Sequence, residues 1–135
     1  MAGFTAWYNS IADFLFGKTS YVPPTTLYLG LSTTTIAAGG TGITEPSGGA
    51  YARVAMTNNK TTWGTASGGA VANAAEFSFP EATASWGTIT YAFFSDAASG
   101  GNLVTFGALT SSRLVENTTT LTLGIGGCTI SFVNS

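Results

Sequence analysis

From residue 26 onward, apolar side chains return at every second position in short runs, and glycine or asparagine pairs close most of those runs. Alternate residues of a strand point to opposite faces, so this period calls for half-buried strands joined by tight turns. In TLYLGLS, Leu27, Leu29 and Leu31 share a face. In AYARVAM, Ala52, Val54 and Met56 oppose Tyr51, Arg53 and Ala55; in AAEFSFP, Phe77 and Phe79 turn inward. GTITYAFFSD sets Ile89, Tyr91 and Phe93 together, and NLVTFGALT sets Val104, Phe106 and Ala108 against Leu103, Thr105 and Leu109. TLTLGI aligns Leu121, Leu123 and Ile125, and CTISFVN aligns Cys128, Ile130 and Phe132. Weaker candidates lie at 61–63, 70–73 and 113–116. Turn signals stand at Asn58-Asn59, Gly68-Gly69, Gly100-Gly101 and Gly126-Gly127. Seven to nine strands at this spacing predict an all-β, antiparallel β-sandwich, jelly-roll-like in arrangement.

One segment breaks the period. In GFTAWYNSIADFLFG, Phe4, Trp7/Tyr8, Ile11 and Phe14/Leu15 recur at spacings of three and four, which predicts a short N-terminal amphipathic helix over residues 3–17. Gly17 is placed for a left-handed C-terminal cap, and Pro23-Pro24 forces extended chain beyond it. With 135 residues the chain reads as a single domain, 1–135, the sandwich occupying 26–135.

The polar residues narrow the function. Only 7% of the chain is charged, against about 25% in an average protein, and the formal net charge is −2. Lys18, Arg53, Lys60 and Arg113 are scattered and outnumbered, so no basic patch for nucleic acid is expected. No histidine is present, which removes Ser-His-Asp and Cys-His catalysis and the commonest metal ligand. The single Cys128 falls on an apolar strand face and reads as a buried, inert thiol. The carboxylates that a glycosidase would need, drawn from Asp13, Glu45, Glu76, Glu81, Asp96 and Glu116, each read as turn or strand-end residues. Trp63 and Trp86 read as packing aromatics before sugar platforms. No run is long and apolar enough for a membrane helix, and no secretory leader is expected. The expectation is therefore no catalytic residue, no cofactor and no metal. Low charge lowers the cost of burying surface, which favours an assembled protein.

The series TLYLGLSTTT, TEPSGGAYARVAM and FPEATASWGTITYAFFSDAASGGNLVTFGAL resembles a family of small tailed-bacteriophage virion proteins, commonly called phage tail fibre proteins. The resemblance runs from Ile11 to Leu109 and implies a structural role in the virion, with assembly in the host cytoplasm. A compact chain without fibrous repeats suits a capsid decoration, or cement, protein that stabilises the head by repeated contacts. The alternative is a tail-fibre, tail-tip or adsorption subunit, carbohydrate-binding in one version. The implied partners are the major capsid protein or other virion proteins, together with further copies in a dimer or trimer; no nucleic acid or membrane is implied. The expected partner-binding residues are Phe4, Trp7, Tyr8, Ile11 and Leu15 on the helix, and Arg53. Arg53 is also expected to pair within the chain with Glu76 or Glu81. The glycine-rich loop, residues 33–49, is expected to order only on a partner.

Overall fold

A computed structural model of the chain describes residues 2, 3 and 5–131, with side chains for 7–131. In chain order the elements are β1 (Ala2–Gly3), α1 (Thr5–Gly17), β2 (Thr26–Ser32), β3 (Val54–Thr57), β4 (Ala70–Ala72), β5 (Phe77–Ser78), β6 (Gly87–Ser95), β7 (Leu103–Val115), β8 (Thr122–Leu123) and β9 (Thr129–Ser131). Five strands make one antiparallel sheet in the order β1-β7-β6-β2-β3, while β4 pairs with β9 and β5 with β8. The expected class, all-β and antiparallel with one short N-terminal helix, is what forms. Its second layer is two separate ladders.

Leu27, Leu29 and Leu31 of β2, Met56 of β3, Ile89, Ala92 and Phe94 of β6 and Val115 of β7 turn to one face of the large sheet. The short ladders close over them with Phe77, Phe79 and Cys128, and Val71, Leu121, Leu123 and Ile130 line the margin. Two aromatic triads fill the interior. Trp63 meets Phe77 and Phe94 edge-on at 5.6 and 5.5 Å between ring centroids. Trp86 meets Tyr51 edge-on at 5.3 Å and Phe79 at 6.3 Å. Edge-to-face contact suits ring quadrupoles and adds about 0.5–1.5 kcal/mol per pair beyond area burial. The Trp86 indole donates to Gly49 O at 2.8 Å. Gly49 lies at φ 59°, where an added Cβ would crowd that indole at 3.0 Å.

Strict alternation fails on β6 and β7, and bulges are the cause. The register steps between Ile89 and Tyr91, where Tyr91 faces Ala108 although Ile89 faces Arg113. Ile89 therefore enters the main core, whereas Tyr91 and Phe93 turn to the opposite face. A second step between Phe94 and Ser95 leaves Val104 as the extra residue, so Val104 and Leu109 reach the main core while Leu103 and Phe106 turn away. A bulge inserts residues on one strand and so reverses the faces beyond it.

The opposite face is covered as well. Ile36, Phe93 and Phe106 are buried there with Ile43, Tyr91 and Leu103 around them. The loop 33–49 that supplies Ile36 and Ile43 was expected to need a partner; it is ordered by its own bonds. Thr33 N donates to Thr44 O at 3.0 Å and Ala37 N to Thr41 O at 2.8 Å. Ser32 Oγ accepts from Thr44 N at 3.1 Å and from Thr34 N at 3.2 Å. Beneath it, Gly30 sits opposite Phe93, whose ring occupies the space that any Cβ at residue 30 would need.

Other departures are local. The left-handed residue ending α1 is Lys18, at φ 54°, one position after the expected Gly17. Thr19 N closes the turn on Asp13 O, six residues back, at 3.0 Å. The segment 113–116 merges with β7, and 61–63 contributes only a bridge from Trp63 to Asn73. Ile125, expected inward, is exposed, and Phe132 lies outside the described residues.

Candidate interaction site

Helix α1 is amphipathic in sequence, yet its apolar stripe outruns the body beneath it. Trp7 and Ile11 lie half-buried against the sandwich. One to two turns further along the same stripe, Phe14 is 52% and Leu15 63% exposed, and Tyr8 beside them is 46% exposed. Phe16, on the far side of the helix, is 90% exposed. Among the described residues the other large exposed hydrophobics are Val22, just beyond the helix, Leu114 on β7 and Ile125 in the turn after β8. A stripe this apolar ordinarily faces a core; here its N-terminal half is half-buried beside a groove, and neither Trp7 nor Ile11 joins a core cluster. Of the expected surface, Trp7, Tyr8, Ile11 and Leu15 thus share one helix, and Phe4 lies outside the described residues.

Trp7 and Ile11 also form one wall of an open groove of about 650 Å³. Tyr21, Pro23 and Pro24 form its end, and Leu27, Trp63, Val71, Val104 and Ile130 its floor. Among the described residues lining it, Lys60 is the only charged one, and its Nζ donates to Gly64 O at 2.9 Å. Sequence reading missed this groove because its floor draws on five segments far apart in the chain. It also left Phe16 outside the expected surface, because Phe16 falls off the stripe.

Arg53 makes a different kind of site. Its Nε and Nη2 grip Glu45 at Oε1 and Oε2, at 2.9 and 2.8 Å. Nη1 donates to Ala97 O at 2.7 Å and Gly100 O at 3.0 Å. The guanidinium lies 4.9 Å from the centre of the Phe93 ring. Four of its five N–H groups are thereby used, and its side chain is 6% exposed. The intrachain partner is Glu45, eight residues upstream, in place of Glu76 or Glu81. Tyr51 completes the network: its hydroxyl donates to Glu45 Oε1 at 2.7 Å and accepts from Leu31 N at 3.0 Å. Burial alone would raise the Glu45 carboxyl, but the bonds from Arg53 and Tyr51 and the Arg53 charge outweigh it and hold it below the usual carboxylate range. Burial, reinforced by Glu45, raises the Tyr51 phenol. The network ties the loop 33–49, the β2 edge and the β6–β7 turn to one cation, and none of the Arg53 bonds reaches the helix.

The remaining chemical candidates are dispersed. Asp96 accepts from Asn102 N at 2.7 Å and Asn102 Nδ2 at 3.0 Å, bonds that hold its carboxyl below the usual carboxylate range and close the β6–β7 turn. Trp63 and Trp86 are buried in the triads, and burial pushes the Cys128 thiol up to about 11. Among the described residues, no group of three His, Cys, Asp or Glu side chains is placed to hold a metal. No described helix is long and apolar enough to cross a membrane.

The surface thus offers an overhanging apolar helix beside an apolar groove, and comparison with known families says in what setting it works. A family model described as Podophage GP4 fiber I protein gp80 matches residues 4–131. The chain belongs to that family. No curated protein matches it. Membership in the podophage fibre I family makes the chain a structural component of a phage virion that associates with other virion proteins. The fibre I match spans both the helix and the groove, so both lie within what the family shares in length.

Proposed function

We propose that this protein is a non-enzymatic fibre subunit of the phage adsorption apparatus, held in the particle by protein–protein contacts through helix α1. The observation that carries the reading is the half-covered apolar stripe of α1 in a chain of the fibre family. A fibre component must be fixed to a scaffold, and apolar side chains held in water on a folded body supply the free energy for that: about 25 cal/mol per Å² removed from water. The family description favours a fibre over the head-decoration role that the compact sequence suggested. The Arg53–Glu45–Tyr51 network fits the same role from within, bracing the loop and turn so that the body is rigid when loaded. Gold-labelled antibody on intact particles tests the assignment. Label at the tail, at a few copies per particle, supports it; label over the head, at hundreds of copies, replaces it with decoration.

A further inference from the structure

We propose that the recess between the first half of α1 and the β6–β7 turn is a binding site for a neutral pyranose sugar. The proposal deepens the proposed function and rests on it for the setting, since an adsorption subunit works at a cell surface. The recess holds about 240 Å³. That is just under the roughly 300–1,000 Å³ of pockets for drug-sized ligands, so it suits one small ring. Its walls differ in kind. Trp7, Tyr21 and Pro24 make an apolar side, while Ser10, Asp96 and Asn102 bring polar groups. A pyranose ring is divided in the same way, with C–H bonds on its faces and hydroxyls around its rim. The C–H bonds pack on aromatic rings, and the hydroxyls need donors and acceptors in place of water.

The polar wall is fixed in the free protein. Asp96 N donates to Asn102 O at 3.1 Å, and Asn102 N and Nδ2 donate back to Asp96 Oδ1 and Oδ2. The turn between them is pinned by Arg53 Nη1 on Ala97 O and Gly100 O, and by Ser95 Oγ on Gly100 O at 3.1 Å. A wall already ordered loses little entropy when a ligand arrives. The Asn102 bonds take two of the roughly four acceptor positions of the carboxylate, one on each oxygen, and leave the others. Asn102 keeps one amide N–H and its Oδ1 without a partner among the described residues. Acceptors beside one donor match two neighbouring hydroxyls, each of which both donates and accepts. A lysine or arginine side chain only donates and would leave the amide N–H unmatched. Among the described residues lining the recess, Asp96 is the only charged one, so an acidic sugar is repelled. The site also lies apart from the exposed end of the helix: Trp7 and Ser10 belong to the first half of α1, and Phe14, Leu15 and Phe16 to its last turn. One helix thus serves anchoring and sugar contact at different positions.

Titration of the purified full-length protein tests this, read by tryptophan fluorescence and by amide shifts in NMR. The ligands are the methyl glycosides of glucose, galactose, mannose and N-acetylglucosamine, with glucuronate and lysine amide for comparison. Trp63 and Trp86 are buried in the core, so a fluorescence change reports Trp7. At least one neutral glycoside is expected to bind saturably with affinity on the order of millimolar, as so small a ligand allows, and to shift residues 7, 21, 96 and 102. Asp96→Asn and Trp7→Ala are each expected to weaken binding about tenfold or more. Phe16→Ser, at the far end of the helix, is expected to bind like the natural chain. Melting temperatures of all three variants show that they are folded at the assay temperature. No saturable binding of any neutral glycoside, binding of glucuronate or lysine amide as tight as theirs, shifts confined to other residues, or undiminished binding by both Asp96→Asn and Trp7→Ala would overturn the proposal. These titrations use the protein alone, so their failure leaves the tail label untouched, and label over the head leaves measured sugar binding standing.

Discussion

Arg53 shows how a chain with four cations spends one of them on structure. Its bidentate grip on Glu45 is partly buried, and removing one partner of such a pair strands the other. Arg53→Met is expected to destabilise the protein by about 2–4 kcal/mol in urea unfolding, more than Lys18→Met or Arg113→Met, which are expected to stay within about 0.5 kcal/mol. The acid side follows by linkage. Glu45 and Asp96 have folded-state pKa values below their ordinary ones, so their contribution is fully present above the ordinary carboxylate range. It is lost as pH falls through the lower folded values, from roughly pH 4 downward. Melting temperature is expected to be flat from pH 5 to 8, where no side chain of this histidine-free chain titrates near its ordinary value, and to fall below that window; Glu45→Gln should flatten the acid limb. Gly30 and Asn73 set two further residue-scale constraints. Gly30→Ala drives a methyl group into the Phe93 ring and is expected to cost about 1–3 kcal/mol. The buried Asn73 side chain donates to Ala75 O and Gly124 O and accepts from Cys128 N; Gly124 O also accepts from Gly127 N, so Asn73→Ala strands Ala75 O and Cys128 N and is expected to cost about 2–4 kcal/mol.

At the scale of elements, the strands were legible where aliphatic residues occupy one register alone. β2 reads directly, because Leu27, Leu29 and Leu31 alternate without interruption and all three are buried. β6 and β7 misread because both faces of the sheet are covered, one by the ladders and the other by the loop 33–49, so apolar residues fill both registers and hide the bulges. The loop's own order was invisible for a related reason: its anchors are one buried isoleucine, Ile36, and a serine hydroxyl, neither of which leaves a period. Ile36→Asp is expected to free that loop, seen as faster amide exchange over residues 33–49 while the β2–β6 ladder stays protected. The helix was legible in its period and its stripe. How much of that stripe its own body covers depends on where the Pro23-Pro24 segment directs it, which no local pattern encodes. The pairing of Arg53 with Glu45 was likewise beyond a strand-based reading, since residues 51–53 precede β3 and follow turn geometry at Gly48, Gly49 and Ala50.

For the whole molecule, the division of labour follows from the charge deficit. The body is closed on both sheet faces, with aromatic triads inside and a cation clasp at its edge, while most of the large apolar surface left in water lies in residues 8–22. In the proposed reading, a virion fibre protein built this way depends on association, with the body supplying rigidity and α1 adhesion. Those two properties are separable, and that separation is the central claim. The most direct measurement is incorporation. Phage is grown in cells that supply either the natural chain or the Phe14→Ser, Leu15→Ser, Phe16→Ser triple variant, and its content per particle is quantified by mass spectrometry. The account predicts a triple variant that is soluble, melts with the natural protein and is missing from particles; particles carrying it at the natural copy number would contradict the account.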